Sequence, residues 1–138
     1  MSTGYVLDAC ALIAFLNDEE GADKLEALLG NGIGASSDIL LHEINLLEIY
    51  YGVFHHGGEE LAEQTYTRIK NLPLRVVRGL RLNVFKEAGR LKAIYRISLA
   101  DSIALAEAKS RQLPLVTCDH HEFDIIDQKK ELSFYWIR

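Results

Sequence analysis

Two aspartates stand directly after apolar segments of strand length. Asp8 follows Val6 and Leu7, and Asp119 follows the segment LPLVTC. Apolar runs of this length, separated by helical patterns, predict the strands of a parallel sheet. Because parallel strands end at the same edge of a sheet, we expect both carboxylates at one edge, where ligands bind in such folds. Aspartate is also a common turn residue, so each one taken singly has a purely structural explanation.

A third acid, Glu48, lies inside a long apolar segment that is predicted to be helical. It shares a helical stripe with Leu41, Ile44 and Tyr51, so we expect its carboxylate to face the interior. A buried carboxylate needs a partner or a metal. The only basic residue before position 68 is Lys24, which makes an ion pair an unpromising explanation.

The fourth acid, Asp101, opens the helical segment LADSIALAEAK. With Ser98 it fits a capping box, which would explain the acid without any chemistry. It also shares a stripe with Ala104 and Ala108 that we expect to face the core, so it can both cap the helix and contribute to a site. In the preceding helical segment, Glu43 lies on a different face from Glu48 and is the weaker candidate.

Four carboxylates at one sheet edge would repel each other, so such a cluster is expected to hold a hard cation. Oxygen ligands favour Mg²⁺ or Mn²⁺ over zinc. His120 and His121 suggest zinc, but neighbouring residues rarely bind one ion together and neither cysteine lies at a usual zinc spacing. A pair of Mg²⁺ ions activates water and stabilises the leaving oxygen of a phosphodiester. Together with the separate basic segment over residues 68–96, the four acids therefore predict metal-dependent nuclease chemistry.

The elements that must position these acids alternate between strand and helix patterns. Strands are predicted over residues 5–8, 33–36, 72–77 and 113–119 and in the C-terminal segment FYWI. Helices are predicted over residues 9–16, 22–29, 59–70, 80–94 and 99–112, and a long helix capped by Ser36 or Ser37 is predicted to run to about Val53. This alternation predicts an α/β fold, a parallel sheet flanked by helices on both faces.

Composition and length favour one globular domain over residues 1–138. The chain has 138 residues, 49% of them hydrophobic and 25% charged, which excludes a disordered chain. The longest apolar run, residues 9–16, is too short to span a bilayer, and no basic residue precedes it as in a signal peptide. We therefore expect a cytoplasmic protein with no membrane partner.

The charge is segregated along the chain although its net value is only −5. Residues 68–96 hold nine basic residues and one acid, whereas residues 1–67 hold twelve acids and one base. On the predicted helix, Arg81, Phe85 and Lys92 share one face, and Arg96 extends it. We expect this face to bind nucleic-acid phosphates; a solvated helix face is the simpler alternative.

Two cysteines are too few for a disulfide scaffold or a four-ligand zinc site. Cys10 and Cys118 each lie close to a candidate acid, Asp8 and Asp119 respectively. We expect two buried structural thiols. The alternative is that oxidation of either cysteine changes the activity of the neighbouring site.

Four segments in order give the chain a resemblance to a known family: VLDACALIAFL, SSDILLHEINLLEIYYGV, ISLADSIALAEAK and LPLVTCDHHEFD. They resemble the PIN-domain ribonucleases, and most closely the VapC toxins of type II toxin–antitoxin pairs. The resemblance implies a five-stranded parallel sheet and a homodimer. It also implies an RNA substrate, a cognate antitoxin, and Mg²⁺, or Mn²⁺, as cofactor.

The same resemblance implies which residues form the site. Asp8, Glu48, Asp101 and Asp119 match the family's acidic quartet, with Asp8, Asp101 and Asp119 binding metal and Glu48 binding it directly or through water. Thr117 matches a supporting threonine, and Ser36, at the start of the segment that carries Glu48, is a second supporting candidate. The resemblance leaves open whether Glu122 or Asp124 completes the site.

Several alternatives share this fold class. A housekeeping RNA-processing PIN nuclease, or a non-catalytic RNA-binding or regulatory PIN domain, would carry similar segments. A phosphatase of this architecture uses D-x-D after the first strand, whereas this chain has Asp8, Ala9 and Cys10. A receiver domain has paired acids near its start, and none occurs here before Asp18 and Glu19.

Overall fold

The computed structural model describes residues 3–30 and 38–138. The strands are β1 (Gly4–Leu7), β2 (Asp38–His42), β3 (Arg75–Val77), β4 (Leu115–Thr117) and β5 (Phe134–Trp136). The helices are α1 (Ala9–Leu16), α2 (Ala22–Gly30), α3 (Glu43–Gly57), α4 (Glu59–Lys70), α5 (Leu82–Ile94), α6 (Leu99–Arg111) and α7 (His120–Gln128). In this part of the chain, no helix is long and apolar enough to cross a membrane.

The five strands form one parallel sheet in the order β3-β2-β1-β4-β5. Leu7 of β1 aligns with Leu41 of β2 and with Val116 of β4. The chain segments that follow these strands therefore leave the sheet side by side at its carboxyl edge. The five-stranded parallel α/β fold expected from the sequence is confirmed.

Helices cover both faces of the sheet because alternate strand residues point to opposite sides. Val6, Leu40 and Leu115 join the core formed with α5, α6 and α7. On the other face, Leu7 and Leu41 join the core formed with α1 to α4. Both cores are needed to hold the central strands, which are buried on both sides.

The long helix predicted from Ser36 or Ser37 to about Val53 is wrong in its first part. Residues 38–42 form β2, and the helix begins at Glu43 and continues to Gly57. β2 lies between β1 and β3, so it is apolar on both faces and lacks the alternation that usually marks a strand. Ser36 and the strand predicted over residues 33–36 lie outside the described residues.

The basic helix is also shorter than predicted. α5 begins at Leu82 and ends at Ile94, and Tyr95 has an extended backbone. Arg96 therefore lies in the connection to α6 and not on the helix face that holds Phe85. The ammonium of Lys92 donates a hydrogen bond to the carbonyl of Ile97 at 2.8 Å, which stabilises the connection between α5 and α6. The single helix face predicted for Arg81, Lys92 and Arg96 is not formed.

Candidate active site

Asp8 lies at the carboxyl end of β1 and serves as the N-cap of α1. Its Oδ1 accepts a hydrogen bond from the backbone N–H of Ala11 at 2.8 Å, and its Oδ2 accepts one from the hydroxyl of Thr117. The side chain is 1% exposed. The pKa of Asp8 is raised to about 7, chiefly by burial and to a lesser extent by the charges of Asp101 and Asp119, which together outweigh the lowering effect of the two hydrogen bonds. This carboxyl is therefore held in place by the fold but is costly to ionise.

Thr117, the last residue of β4, connects two of the acids. Besides donating to Asp8, its Oγ1 accepts a hydrogen bond from the backbone N–H of Asp119 at 3.1 Å. Asp119 in turn caps α7, since its Oδ1 accepts from the backbone N–H of Glu122 at 3.1 Å. The predicted supporting threonine is thus fully buried between the ends of β1 and β4.

Asp101 lies in the first turn of α6, close to the same edge. Ser98 caps the helix by accepting a hydrogen bond from the backbone N–H of Asp101 at 3.0 Å, as the capping box predicts. The pKa of the Asp101 side chain is raised to about 6, chiefly by burial and also by the negative charges of Glu48, Asp119 and Glu122, against the lowering effect of a hydrogen bond with Ser98. The capping oxygen comes from Ser98, so the Asp101 carboxyl is not required for the cap and can also contribute to a site.

Glu48 is half-buried on α3, with Tyr51 exposed beside it, so the fully interior stripe predicted from the sequence is not formed. Its carboxyl lies near enough to Asp101 to raise the pKa of that group, and burial raises its own pKa. Glu43 is used elsewhere, because its Oε1 accepts from the backbone N–H of Gly79 at 2.8 Å. Of the two glutamates on α3, the structure thus places Glu48 beside the other acids.

The sequence reasoning did not single out Asn45, which is fully buried one helical turn before Glu48. Its Nδ2 donates to the carbonyl of Ala100 at 3.2 Å, next to Asp101. Its Oδ1 is buried without a hydrogen-bond partner among the described residues. The only sequence signal is an amide three residues before Glu48 in an otherwise apolar stretch.

The region has a strong excess of negative charge. In the described residues, no Lys, Arg or His side chain forms an ion pair with Asp8, Glu48, Asp101 or Asp119. Within residues 3–30 and 38–138, no group of three or more His, Cys, Asp or Glu side chains is close enough together to hold a metal ion. The residue types still suit a hard cation, since their donor atoms are oxygens and no basic side chain of the described residues pairs with the four carboxylates.

The two acids that follow Asp119 have different surroundings. Glu122 contributes to the negative potential at Asp101. Asp124 instead forms a contact of 2.8 Å between its Oδ1 and Nδ1 of His120. The structure therefore places Glu122 nearer to the site than Asp124.

Cys10 and Cys118 form a disulfide, with a distance of 6.3 Å between their Cα atoms. The expectation of two buried free thiols is therefore wrong. The bond joins the first turn of α1 to the end of β4, two residues after Asp8 and one residue before Asp119. Sequence spacing could not show this, because 108 positions separate the two cysteines.

Comparison with protein families finds a match to the PIN domain over residues 5–129. A comparison with curated protein sequences found no match. Among solved structures, VapBC from Salmonella typhimurium bound to DNA is similar over all of both chains, with 18% identity and a TM-score of 0.74. VapBC2 from Rickettsia felis, bound to a DNA fragment from its promoter, has 21% identity and a TM-score of 0.73, over 97% of this chain and 98% of that one.

VapBC-1 from nontypeable Haemophilus influenzae has 18% identity and a TM-score of 0.72, over 98% of each chain. At these identities the similarity establishes the shared fold. The family match covers most of the sequence and includes the segments that carry all four acids. The chain belongs to the PIN domain family.

Proposed function

We propose that this protein is a Mg²⁺-dependent endoribonuclease that acts in the cytoplasm. The observation that carries the proposal is the group of four carboxylates, unpaired by any basic side chain of the described residues, at the edge of the sheet where ligands of such folds bind. Asp8, Asp101 and Asp119 would hold the Mg²⁺, with Glu48 binding it directly or through water. Mg²⁺, or Mn²⁺ in its place, would supply charge neutralisation at the phosphate and a lowered pKa for the attacking water.

Neighbouring residues hold the carboxylates in position for this reaction. Thr117 and the backbone of Ala11 fix both oxygens of Asp8, and Ser98 caps α6 so that Asp101 need not. Glu48 has a raised pKa and remains partly accessible, which suits a group that accepts the proton of the attacking water.

Cleavage of RNA by purified variants tests the proposal. Asp8→Ala, Glu48→Ala and Asp101→Ala should each abolish cleavage, and EDTA should abolish it in the wild type. Glu122→Gln should reduce cleavage, whereas Asp124→Asn is the matched control, because Asp124 contacts His120 and not the carboxylate group. Near-normal cleavage by any two of the three alanine variants would contradict the assignment.

We further propose that the nuclease is the toxin of a toxin–antitoxin pair, acts as a homodimer and is inhibited by its antitoxin. The solved structures that share its fold include VapBC toxin–antitoxin complexes. This chain also exposes apolar side chains that would suit a protein partner, including Leu47, Tyr51 and Phe54 of α3. Expression of the wild type alone should slow bacterial growth, and expression of Asp8→Ala should not. Equal growth of both strains would favour a housekeeping nuclease or a non-catalytic RNA-binding domain.

A further inference from the structure

An open cavity of about 420 Å³ lies along β3, the edge strand of the sheet. Four arginines from separate parts of the chain line it. Arg75 belongs to β3, Arg78 and Arg81 lie between β3 and α5, and Arg111 ends α6. This surface, which we call the arginine cavity, differs from the helix face predicted from the sequence and shares only Arg81 with it.

The arginine cavity keeps an excess of positive charge after its ion pairs are counted. Glu107, 2% exposed, is paired with Arg111 at 3.0 Å and lies 3.9 Å from Arg81. Arg78 lies 3.4 Å from Glu43. Arg75 has no acidic partner within the described part of the chain, so four arginines face two carboxylates.

The arginine cavity is held in a fixed position relative to the carboxylates. His42, at the end of β2, donates a hydrogen bond from Nε2 to the carbonyl of Gly79 at 2.7 Å, while its Nδ1 accepts from the backbone N–H of Ile44. His42 also aligns with Val77, the last residue of β3. The loop that carries Arg78 and Arg81 is therefore anchored to the neighbouring strand.

The distance to the candidate active site follows from the sheet. β3 and β1 are separated by one strand, β2, so their carboxyl ends lie about 10 Å apart at the usual spacing of neighbouring strands. Stacked nucleotides advance by about 3.4 Å along one strand. Because this rise is the smallest advance of a stacked strand, a single-stranded RNA with its scissile phosphate at Asp8 would reach the arginine cavity within about three nucleotides.

Two features favour RNA over an acidic protein segment as the occupant. The guanidinium fork matches the geometry of a phosphate, which it can bind through two hydrogen bonds. Phe85 is 61% exposed and lies one helical turn beyond Arg81, whose carbonyl accepts the Phe85 N–H at 2.9 Å. An exposed aromatic ring beside a basic groove is the usual combination for binding single-stranded nucleic acid.

We propose that the arginine cavity binds backbone phosphates of the RNA substrate within about three nucleotides of the cleaved bond. This inference rests on the proposed ribonuclease function and extends it to the path of the substrate. Arg75 and Arg78 provide the cleanest test, because neither pairs with the buried Glu107.

The test measures the affinity of a short fluorescein-labelled single-stranded RNA by anisotropy in EDTA, over a series of salt concentrations. The double variant Arg75→Gln/Arg78→Gln should bind about 20-fold more weakly at 0.1 M salt, and its salt slope should be smaller by about 1.4, since each phosphate contact contributes about 0.7. The double variant Arg75→Lys/Arg78→Lys should recover the slope, because the charges return. Lys129→Gln, after α7 and near the opposite edge of the sheet, is the control and should bind as the wild type does.

Circular dichroism and thermal melting first establish that each variant is folded. If the double glutamine variant does not fold, the single variant Arg75→Gln should show half of the expected change in the salt dependence of RNA affinity. If the wild type cleaves RNA but the glutamine variants bind it normally, the arginine cavity is not on the substrate path and only this inference is overturned. Normal RNA affinity together with weakened binding of the antitoxin would also overturn it and assign the cavity to protein recognition. If the wild type neither binds nor cleaves RNA, the proposed function fails and this inference fails with it.

Discussion

Replacing Asp8 by Asn should stabilise the metal-free protein, and increasingly so as the pH rises. The folded state holds the pKa of Asp8 at about 7, against an ordinary value of 3.8. An acid with a raised pKa binds its proton more tightly in the folded state, so its ionisation favours unfolding. The destabilisation is absent below pH 3.8, grows between pH 3.8 and 7, and is fully present above pH 7.

The magnitude follows from the same two pKa values. Each pH unit between them is worth about 1.4 kcal/mol, so the full effect is on the order of 4 kcal/mol. Between pH 5 and pH 8, the wild type should lose about 2–3 kcal/mol relative to Asp8→Asn. Asparagine is as good an N-cap as aspartate, and its amide can donate to Thr117 Oγ1, so the cap of α1 is retained. If the hydrogen bond with Thr117 differs in strength between the two proteins, it changes the free energy of unfolding by the same amount at every pH. The divergence of the two proteins with pH is therefore unaffected.

Urea unfolding in EDTA at several pH values measures this effect, with the single tryptophan, Trp136 of β5, as a fluorescence probe. The free energies of unfolding of the two proteins should diverge as the pH rises. Millimolar Mg²⁺ should then stabilise the wild type more than the variant, because a ligand that binds only the folded state adds to its stability. Parallel curves from pH 5 to 8 would refute the account of Asp8 as a buried carboxyl with a high cost of ionisation.

Two further predictions concern the scaffold around the site. Reduction of the disulfide between Cys10 and Cys118, which are 108 residues apart, should lower the free energy of unfolding by roughly 5 kcal/mol, because the bond closes a long loop in the unfolded chain. Urea midpoints with and without dithiothreitol measure this effect. The midpoint of a Cys118→Ser variant should not change when dithiothreitol is added. Glu131, which binds Arg90 at 2.6 Å and Lys109 at 2.8 Å, has its pKa lowered to about 2 by these hydrogen bonds. Glu131→Gln should therefore lower the free energy of unfolding by about 1–2 kcal/mol above pH 4.5, and the difference between variant and wild type should vanish as the pH falls towards 2. A difference in the free energy of unfolding that does not change with pH would contradict this account.

The disulfide also bears on where and when the protein is active. Structural disulfides are uncommon in reducing compartments such as the bacterial cytoplasm. The cleavage assays should therefore be run on both the oxidised and the reduced protein, since the bond lies beside two of the proposed metal ligands.

The sequence by itself determined the elements whose signals are local. The 3.6-residue pattern placed α1, α4 and α6 close to their observed bounds, and Ser98 indicated where α6 begins. The alternation of strands and helices predicted the parallel sheet, because few other arrangements bury such strands on both faces. Asp8 and Asp119 were expected at one edge for the same reason, since both follow strands that run in one direction.

Only the tertiary structure decided the features that depend on distant partners. β2 could not be distinguished from the start of a helix, because a strand buried on both faces has no alternation. Thr117 donates to Asp8 and Cys10 joins Cys118 only because β1 and β4 are neighbours in the sheet. Likewise, the arginine cavity assembles side chains from β3, the following loop and α6, which no helical or strand period relates. The raised pKa of Asp8 has the same origin, since desolvation comes from the whole packed core and not from neighbouring residues in the chain.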